Sequence, residues 1–118
     1  MKNFIKLVSF LVLSIGSTAA MANTSMSCYV DTSAFDEYRT GQCFAMIWGA
    51  NKATAVFKVD GAPSGTKYIW SNSSCSESSS VCTTSIRAFQ NYTMSATVLM
   101  PDGTWSQVQA SASFEDGR

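Results

Sequence analysis

The fold of this chain is decided by one stretch near its carboxyl end, Tyr92–Phe114, which reads YTMSATVLMPDGTWSQVQASASF. Two runs of alternating apolar and polar residues flank the triplet Pro101–Gly103. Alternation with a period of two is typical of a strand with one buried face, and a glycine-containing triplet between two such runs is typical of a hairpin turn. The stretch therefore predicts a long β-hairpin.

The length of the turn decides which residues of the hairpin face each other. A three-residue loop, with Gly103 in the left-handed conformation, pairs Ala96 with Val108 and separates an apolar face from a polar one. A two-residue Asp-Gly loop would mix the two faces and bury hydroxyl groups. We therefore predict the three-residue loop, with a positive φ at Gly103. The residues that then face inward together are Tyr92, Met94, Ala96, Val108, Ala110 and Ala112.

One pair of residues near the tip of the hairpin breaks the alternation. In the three-residue register, Leu99 faces Trp105 on the otherwise polar side. Such a pair forms a small exposed apolar spot that a glycan ring or a protein partner could cover. The alternative is that a neighbouring loop, such as Asp31–Thr40, folds over the tip. Leu99 and Trp105 are the candidate partner-binding residues of this sequence.

The amino-terminal segment has the pattern of a secretory signal peptide. A positively charged start containing Lys2 and Lys6 precedes an apolar run from Leu7 to Ile15, and a small-x-small site ends at Ala22. The apolar run is too short to span a bilayer. We predict a signal peptide at residues 1–22, a single domain at residues 23–118, and secretion or release into the periplasm of a bacterium without a stable membrane anchor after cleavage.

The exported part is small and weakly acidic. Loss of residues 1–22 leaves 96 residues, with six basic against eight acidic side chains. Nucleic-acid binding requires a concentrated basic stripe that displaces counterions, and the basic residues here are scattered along the chain. We expect no nucleic-acid partner, and the partner suggested by the apolar spot is an unidentified protein or glycan.

The four cysteines, Cys28, Cys43, Cys75 and Cys82, all lie in the exported part. An even number of cysteines in an oxidising compartment predicts two disulfides. Three connectivities are possible, and we favour Cys28 with Cys43 and Cys75 with Cys82 because both pairs are local. A zinc site is disfavoured because the chain has no histidine and no Cys-x2-Cys spacing.

The rest of the chain predicts further short strands separated by turns. The run Cys43–Trp48 is continuously apolar and is expected to be a strand with both faces at least partly covered, whereas Ala53–Val59 alternates. A turn at residues 60–65 separates it from Thr66–Trp70, and a serine-rich segment, Ser71–Ser80, follows. No segment has helical spacing, so we predict an all-β, antiparallel β-sandwich in preference to a small barrel. The layer facing the hairpin is expected to contain Phe44, Met46, Trp48, Phe57, Val59, Tyr68 and Trp70.

The order of these elements resembles that of bacterial immunoglobulin-like sandwich modules, particularly the PKD type. The resemblance covers Ala53–Phe114 and rests on strand spacing and the Tyr68-x-Trp70 pair. Two features depart from the pattern: Ser71–Ser73 replaces the aspartate and glycine that follow the tryptophan, and Met94 stands where an antibody-type cysteine would lie. The resemblance implies a small antiparallel immunoglobulin-like β-sandwich that serves in binding, spacing or adhesion.

Catalytic and metal-binding patterns are poorly represented. Without histidine, the Ser-His-Asp and Cys-His arrangements cannot be built. The adjacent acids Asp36 and Glu37 do not provide the opposed carboxylates of a glycosidase. Asp60, Asp102 or Glu77 could supply oxygen ligands to calcium from turns, but they lack an EF-hand spacing. We therefore predict no enzyme, no catalytic residues, no metal and no cofactor.

The sequence is most consistent with a small secreted or periplasmic, non-catalytic binding or surface-associated module. The alternative is an inhibitor of an extracellular enzyme that presents the cross-linked loop Ser71–Ser80. A constrained loop loses little conformational entropy on binding, which favours such inhibitors.

Overall fold

The computed structural model describes residues 24–34 and 36–117. The predicted signal peptide at residues 1–22 lies outside the described residues. Within the described part, no helix has the length and apolar character needed to cross a bilayer.

The described residues form eight strands, and their alternating burial follows the alternation of the sequence. They are β1 (Ser25–Val30), β2 (Arg39–Thr40), β3 (Gln42–Met46), β4 (Lys52–Asp60), β5 (Lys67–Trp70), β6 (Val81–Arg87), β7 (Tyr92–Leu99) and β8 (Trp105–Glu115).

The strands form two four-stranded sheets that pack face to face. Sheet I has the order β2-β1-β4-β6, and sheet II has the order β3-β8-β7-β5. All neighbours are antiparallel except β3 and β8, which run parallel. The predicted β-sandwich is confirmed. Among the described strands, β2 lies at one edge of sheet I beside β1, and β3 lies at one edge of sheet II.

The register of the hairpin is confirmed. Leu99 pairs with Trp105, and each pair down to Tyr92 and Ala112 follows the three-residue loop. The amide of Gly103 donates to the carbonyl oxygen of Met100 at 3.0 Å, and the amide of Met100 donates to the carbonyl oxygen of Thr104 at 2.9 Å. The φ of Gly103 is +91°, as predicted. Of the six inward positions, Tyr92 is half-buried and the other five are buried.

Substitution of Gly103 by alanine tests the turn. No atom lies within 4 Å of the position that a Cβ would occupy, so the penalty is the left-handed backbone and not a clash. We expect Gly103→Ala to lower the free energy of unfolding by about 1–2 kcal/mol in chemical denaturation. Gly103→Asn is the matched control, because asparagine tolerates this conformation and is expected to lose less. Equal losses for both variants would contradict this explanation.

The carboxylate of Asp102 organises the same turn. Its Oδ1 accepts hydrogen bonds from the Thr104 hydroxyl at 2.6 Å and from the Thr104 amide at 2.9 Å. These two bonds, with the hydroxyl contributing most, lower the pKa of Asp102 below its ordinary value.

Acid titration is therefore expected to loosen the turn. A lowered pKa in the folded state means that the stabilisation is present above the unfolded-state pKa and is lost as pH falls through the folded-state pKa. In an NMR titration, we expect Asp102 to titrate below an ordinary aspartate, with the Thr104 amide signal moving in parallel. Thr104→Ala should raise the pKa of Asp102. An unchanged midpoint in that variant would contradict the assignment.

Both predicted disulfides are confirmed. Cys28 of β1 is bonded to Cys43 of β3, with the Cα atoms 5.9 Å apart, so this bridge joins the two sheets. Cys75 in the serine-rich segment is bonded to Cys82 of β6, with the Cα atoms 5.6 Å apart. Cys28, Cys43 and Cys82 are buried, and Cys75 is half-buried.

The predicted environment of the run Cys43–Trp48 is wrong. Phe44 and Met46 are each 55% exposed, and Trp48 is 73% exposed. The reason is that side chains of β3 alternate between the two faces of sheet II, and Phe44 and Met46 lie on the outer face, which points away from sheet I. Trp48 follows the end of β3. Only one face of this run is covered, and Cys43 lies on it.

The predicted membership of the facing layer is also partly wrong. Phe57 and Val59 of β4 are buried and face the hairpin from sheet I, as predicted. Tyr68 and Trp70 are buried too, but β5 pairs with β7 and therefore belongs to the hairpin's own sheet. The turn between β4 and β5 carries the chain from sheet I to sheet II. The composition of a turn does not show whether the next strand joins the same sheet or the other one.

Candidate functional site

The predicted pair Leu99 and Trp105 lies on the solvent-facing side of sheet II. Leu99 is 37% exposed and Trp105 is 59% exposed. The alternative in which a loop covers Trp105 is therefore wrong. We call this side of the sheet the hairpin face. It consists of the outward side chains of four strands: Lys67 and Ile69 of β5; Thr93, Ser95, Thr97 and Leu99 of β7; Trp105, Gln107, Gln109, Ser111, Ser113 and Glu115 of β8; and Gln42, Phe44 and Met46 of β3.

One end of the hairpin face carries large apolar side chains on three strands, with the charged Lys67 at its edge. Lys67 pairs with Leu99, and Leu99 pairs with Trp105, so these residues form one row. Ile69 pairs with Thr97 in the adjacent row and is 54% exposed. Sequence reasoning missed Lys67 and Ile69, because their approach to Trp105 depends on the pairing of β5 with β7.

The middle of the hairpin face is polar but uncharged. The Gln107 side-chain amide donates to the Thr97 hydroxyl at 2.9 Å, and the Thr93 and Ser111 hydroxyls lie 2.9 Å apart. The side chains of this central strip are Thr93, Ser95, Thr97, Gln107, Gln109, Ser111 and Ser113. Each carries hydroxyl or amide groups that can donate and accept hydrogen bonds.

The other end of the hairpin face is apolar again. Phe44 pairs with Ser113, and Met46 pairs with Glu115. The row of Phe44 lies eight residues along β8 from Trp105, which corresponds to about 27 Å at the strand rise. The two charged members of the face, Lys67 and Glu115, thus lie in its terminal rows.

The outer side of sheet I has a different character. It carries the charged residues Lys52, Lys58, Asp60 and Arg87. The Lys58 Nζ lies 3.3 Å from Asp60 Oδ1 and 4.1 Å from the centroid of the Tyr38 ring. This charged surface is typical of a solvated sheet face. The hairpin face, with its apolar ends and uncharged centre, therefore differs from the other outer face of the same protein.

A groove of about 320 Å³ lies between β3 and the loop that precedes β2. Its lining includes Asp36, Glu37 and Arg39 together with Phe44 and Met46. The Asp36 carboxylate accepts hydrogen bonds from the hydroxyl of Thr32 at 2.7 Å and from its amide at 3.1 and 3.2 Å. These bonds lower the pKa of Asp36 and tie its carboxylate to the loop, so Asp36 serves the loop structure.

The acidic residues considered as metal ligands are not brought together. In the part of the chain that the structure describes, no three side chains among His, Cys, Asp and Glu are arranged to hold a metal ion. Asp60 interacts with Lys58, and Asp102 is held in the hairpin turn.

The serine-rich loop Ser71–Ser80 is held at several points. Besides the Cys75–Cys82 bridge, the Trp70 indole donates to the Ser79 carbonyl oxygen at 3.1 Å. The amide of Tyr68 donates to the Glu77 carbonyl oxygen at 2.8 Å. The loop therefore has a fixed attachment to β5, which lies at the edge of sheet II opposite β3.

Searches against protein-family models, curated proteins and solved structures found no match for this chain.

Proposed function

We propose that this protein is an exported, non-catalytic binding module that attaches to a partner through the hairpin face. One observation carries the proposal: Trp105, Ile69, Phe44 and Met46 are each more than half exposed on one side of one sheet. Contiguous exposed apolar patches on soluble domains often mark interaction sites, and Ile69, Leu99 and Trp105 lie in neighbouring rows at one end of this face. The same chain buries Phe57 and Phe114 completely, so the exposed residues are not a consequence of an incomplete core.

The proposed location rests on the signal peptide pattern and on the cysteines. All four cysteines are paired in two disulfides, which suggests an oxidising, extracellular or periplasmic environment. A binding module in either place would meet the cell envelope or material in the medium.

We further propose kinship with the immunoglobulin-like sandwich modules of the PKD type. The support is the sequence pattern together with the strand order, in which β1 lies in sheet I and β3 lies in sheet II, parallel to β8. Kinship of fold would not by itself identify a ligand, which must be argued from the surface.

A binding assay with envelope material from the producing organism tests the proposed function. We expect Trp105→Ala to keep the circular dichroism spectrum and to weaken attachment at least about tenfold, because exposed tryptophans are frequent energetic centres of interfaces. Phe89→Ala is the control, since Phe89 is 62% exposed but lies in the turn between β6 and β7. Equal attachment of both variants would refute the proposal.

A second candidate function is inhibition of an extracellular protease by the loop Ser71–Ser80. The observation that favours it is the fixed attachment of this loop by a disulfide and two hydrogen bonds. Inhibition that is present in the oxidised protein and lost in Cys75→Ala/Cys82→Ala would support this function. An absence of inhibition at micromolar protein against serine, cysteine and metalloproteases would remove it.

A further inference from the structure

We propose that the ligand of the hairpin face is a neutral polysaccharide that lies along β8, with one sugar ring stacked on Trp105. This inference rests on the proposed function and names the chemical class of the partner. It is carried by three properties of the face: its exposed aromatic ends, its uncharged polar centre and its length.

The aromatic ends provide surfaces for sugar rings. Trp105 is 59% exposed at one end and Phe44 is 55% exposed at the other. A sugar ring has an apolar side formed by its C–H groups, which packs against an aromatic face, while its hydroxyls remain at the edge. Leu99 and Ile69 extend the apolar surface beside Trp105.

The centre of the face provides hydrogen-bonding groups of both kinds. Gln107 uses one N–H on the Thr97 hydroxyl, which leaves its second N–H and its carbonyl oxygen for a ligand. The Thr97 hydroxyl, as an acceptor in that bond, can still donate its own proton. Sugar hydroxyls also donate and accept, so they complement this strip without requiring an ionised group.

The charge of the face favours a neutral ligand over an anionic one. The central strip carries no ionisable side chain, and the one basic residue of the face, Lys67, is in a terminal row. An anionic polysaccharide would need several basic side chains along its path. The basic residues Lys52, Lys58 and Arg87 lie instead on the outer side of sheet I.

The same strip disfavours a protein partner or a second copy of the chain. Protein interfaces are enriched in aromatic residues, methionine and arginine at their centre and are depleted in serine. Here the apolar residues are at the two ends, about 27 Å apart, and serine, threonine and glutamine occupy the centre. A ligand several sugar units long would contact both ends and the strip between them.

Retention by defined polysaccharides tests the inference. The probes are cellulose, chitin, xylan and laminarin as neutral chains, with alginate, polygalacturonate and heparin as charged ones. We expect the mature protein to be retained by at least one neutral probe, with little change between about 50 and 200 mM salt. Trp105→Ala should weaken retention at least tenfold, Trp105→Phe should restore part of it, and Phe89→Ala should leave it unchanged.

The outcomes separate this inference from the proposed function. Retention only by charged probes, or retention that Trp105→Ala does not change, would overturn the inference. If no neutral probe is bound but envelope attachment still depends on Trp105 and is abolished by protease treatment of the envelope, the partner is a protein. In that case this inference fails while the proposed function stands. Envelope attachment that is independent of Trp105 would overturn both.

Discussion

Replacement of Phe57 by alanine is expected to lower the free energy of unfolding by about 3–5 kcal/mol, the usual range for a buried phenylalanine. Phe57 is fully buried at the centre of β4, between β1 and β6. Its direct neighbours on those strands are Cys28 and Cys82, one from each disulfide, and the Tyr92 ring lies 6.0 Å from its own. Phe57→Ala would therefore leave a cavity beside both disulfides. Because the disulfides hold the surrounding strands in place, the structure can collapse only partly into that cavity.

Chemical denaturation of matched variants checks this expectation. Phe57→Leu preserves most of the volume and should lose much less, about 1 kcal/mol. Trp105→Ala removes a larger side chain from the surface and should change stability by no more than about 0.5 kcal/mol. A loss below 1 kcal/mol for Phe57→Ala, or a larger loss for Trp105→Ala, would contradict the assignment of these residues to core and surface.

Removal of the Cys28–Cys43 bridge is expected to have the second largest effect. The cysteines are 15 residues apart, and the chain-entropy relation gives about 3 kcal/mol for a loop of that length. Cys75 and Cys82 are only 7 residues apart, which gives about 2.4 kcal/mol. The first bridge also joins the two sheets through two buried residues, so its double alanine variant should lose packing as well.

The measurement compares the free energies of unfolding of two double variants, Cys28→Ala/Cys43→Ala and Cys75→Ala/Cys82→Ala. Equilibrium denaturation without reductant should give the larger loss for the first variant. Intact mass checks each sample, because every remaining bridge removes two hydrogens. A larger loss for the second variant would show that the short bridge and its serine-rich loop stabilise the sandwich more than the inter-sheet bridge.

The hairpin could be predicted in detail because its signals are local. Gly103 between two alternating runs determines the loop, and the alternation of Met94, Ala96 and Val108 then determines the register. The disulfides could be predicted for a similar reason, since each pair is close in sequence and each bridge closes a short loop. The turn, the register and the disulfide pairing could therefore be predicted from the sequence, because each depends on residues that are close together along the chain.

The assignment of strands to sheets could not be predicted in the same way. β3 pairs in parallel with β8, and Phe44 meets Ser113 across 69 positions of sequence. No local pattern specifies such a pairing, and the continuous apolar run of β3 is typical of a strand covered on both sides. The exposed Phe44 and Met46 depart from that expectation, and they lie on the surface proposed for binding.

The candidate site could likewise be predicted only where its residues belong to one hairpin. Leu99 and Trp105 were found by parity, because both interrupt a polar face within one hairpin. Ile69 and Phe44 are brought to the same face by the pairings of β5 with β7 and of β3 with β8. The outward direction of Ile69 could be read from its place between Tyr68 and Trp70, but that of Phe44 could not, because the run Cys43–Trp48 is continuously apolar. The position of both residues beside the hairpin required the three-dimensional fold.

The most direct test of binding through the hairpin face uses both of its ends at once. The measurement is the apparent dissociation constant for binding of each variant, Trp105→Ala, Phe44→Ala and the control Phe89→Ala, to envelope material of the producing organism. If one ligand spans the face, both Trp105→Ala and Phe44→Ala should bind more weakly than Phe89→Ala, with Trp105→Ala at least about tenfold weaker. Three equal dissociation constants in folded proteins would contradict the central claim.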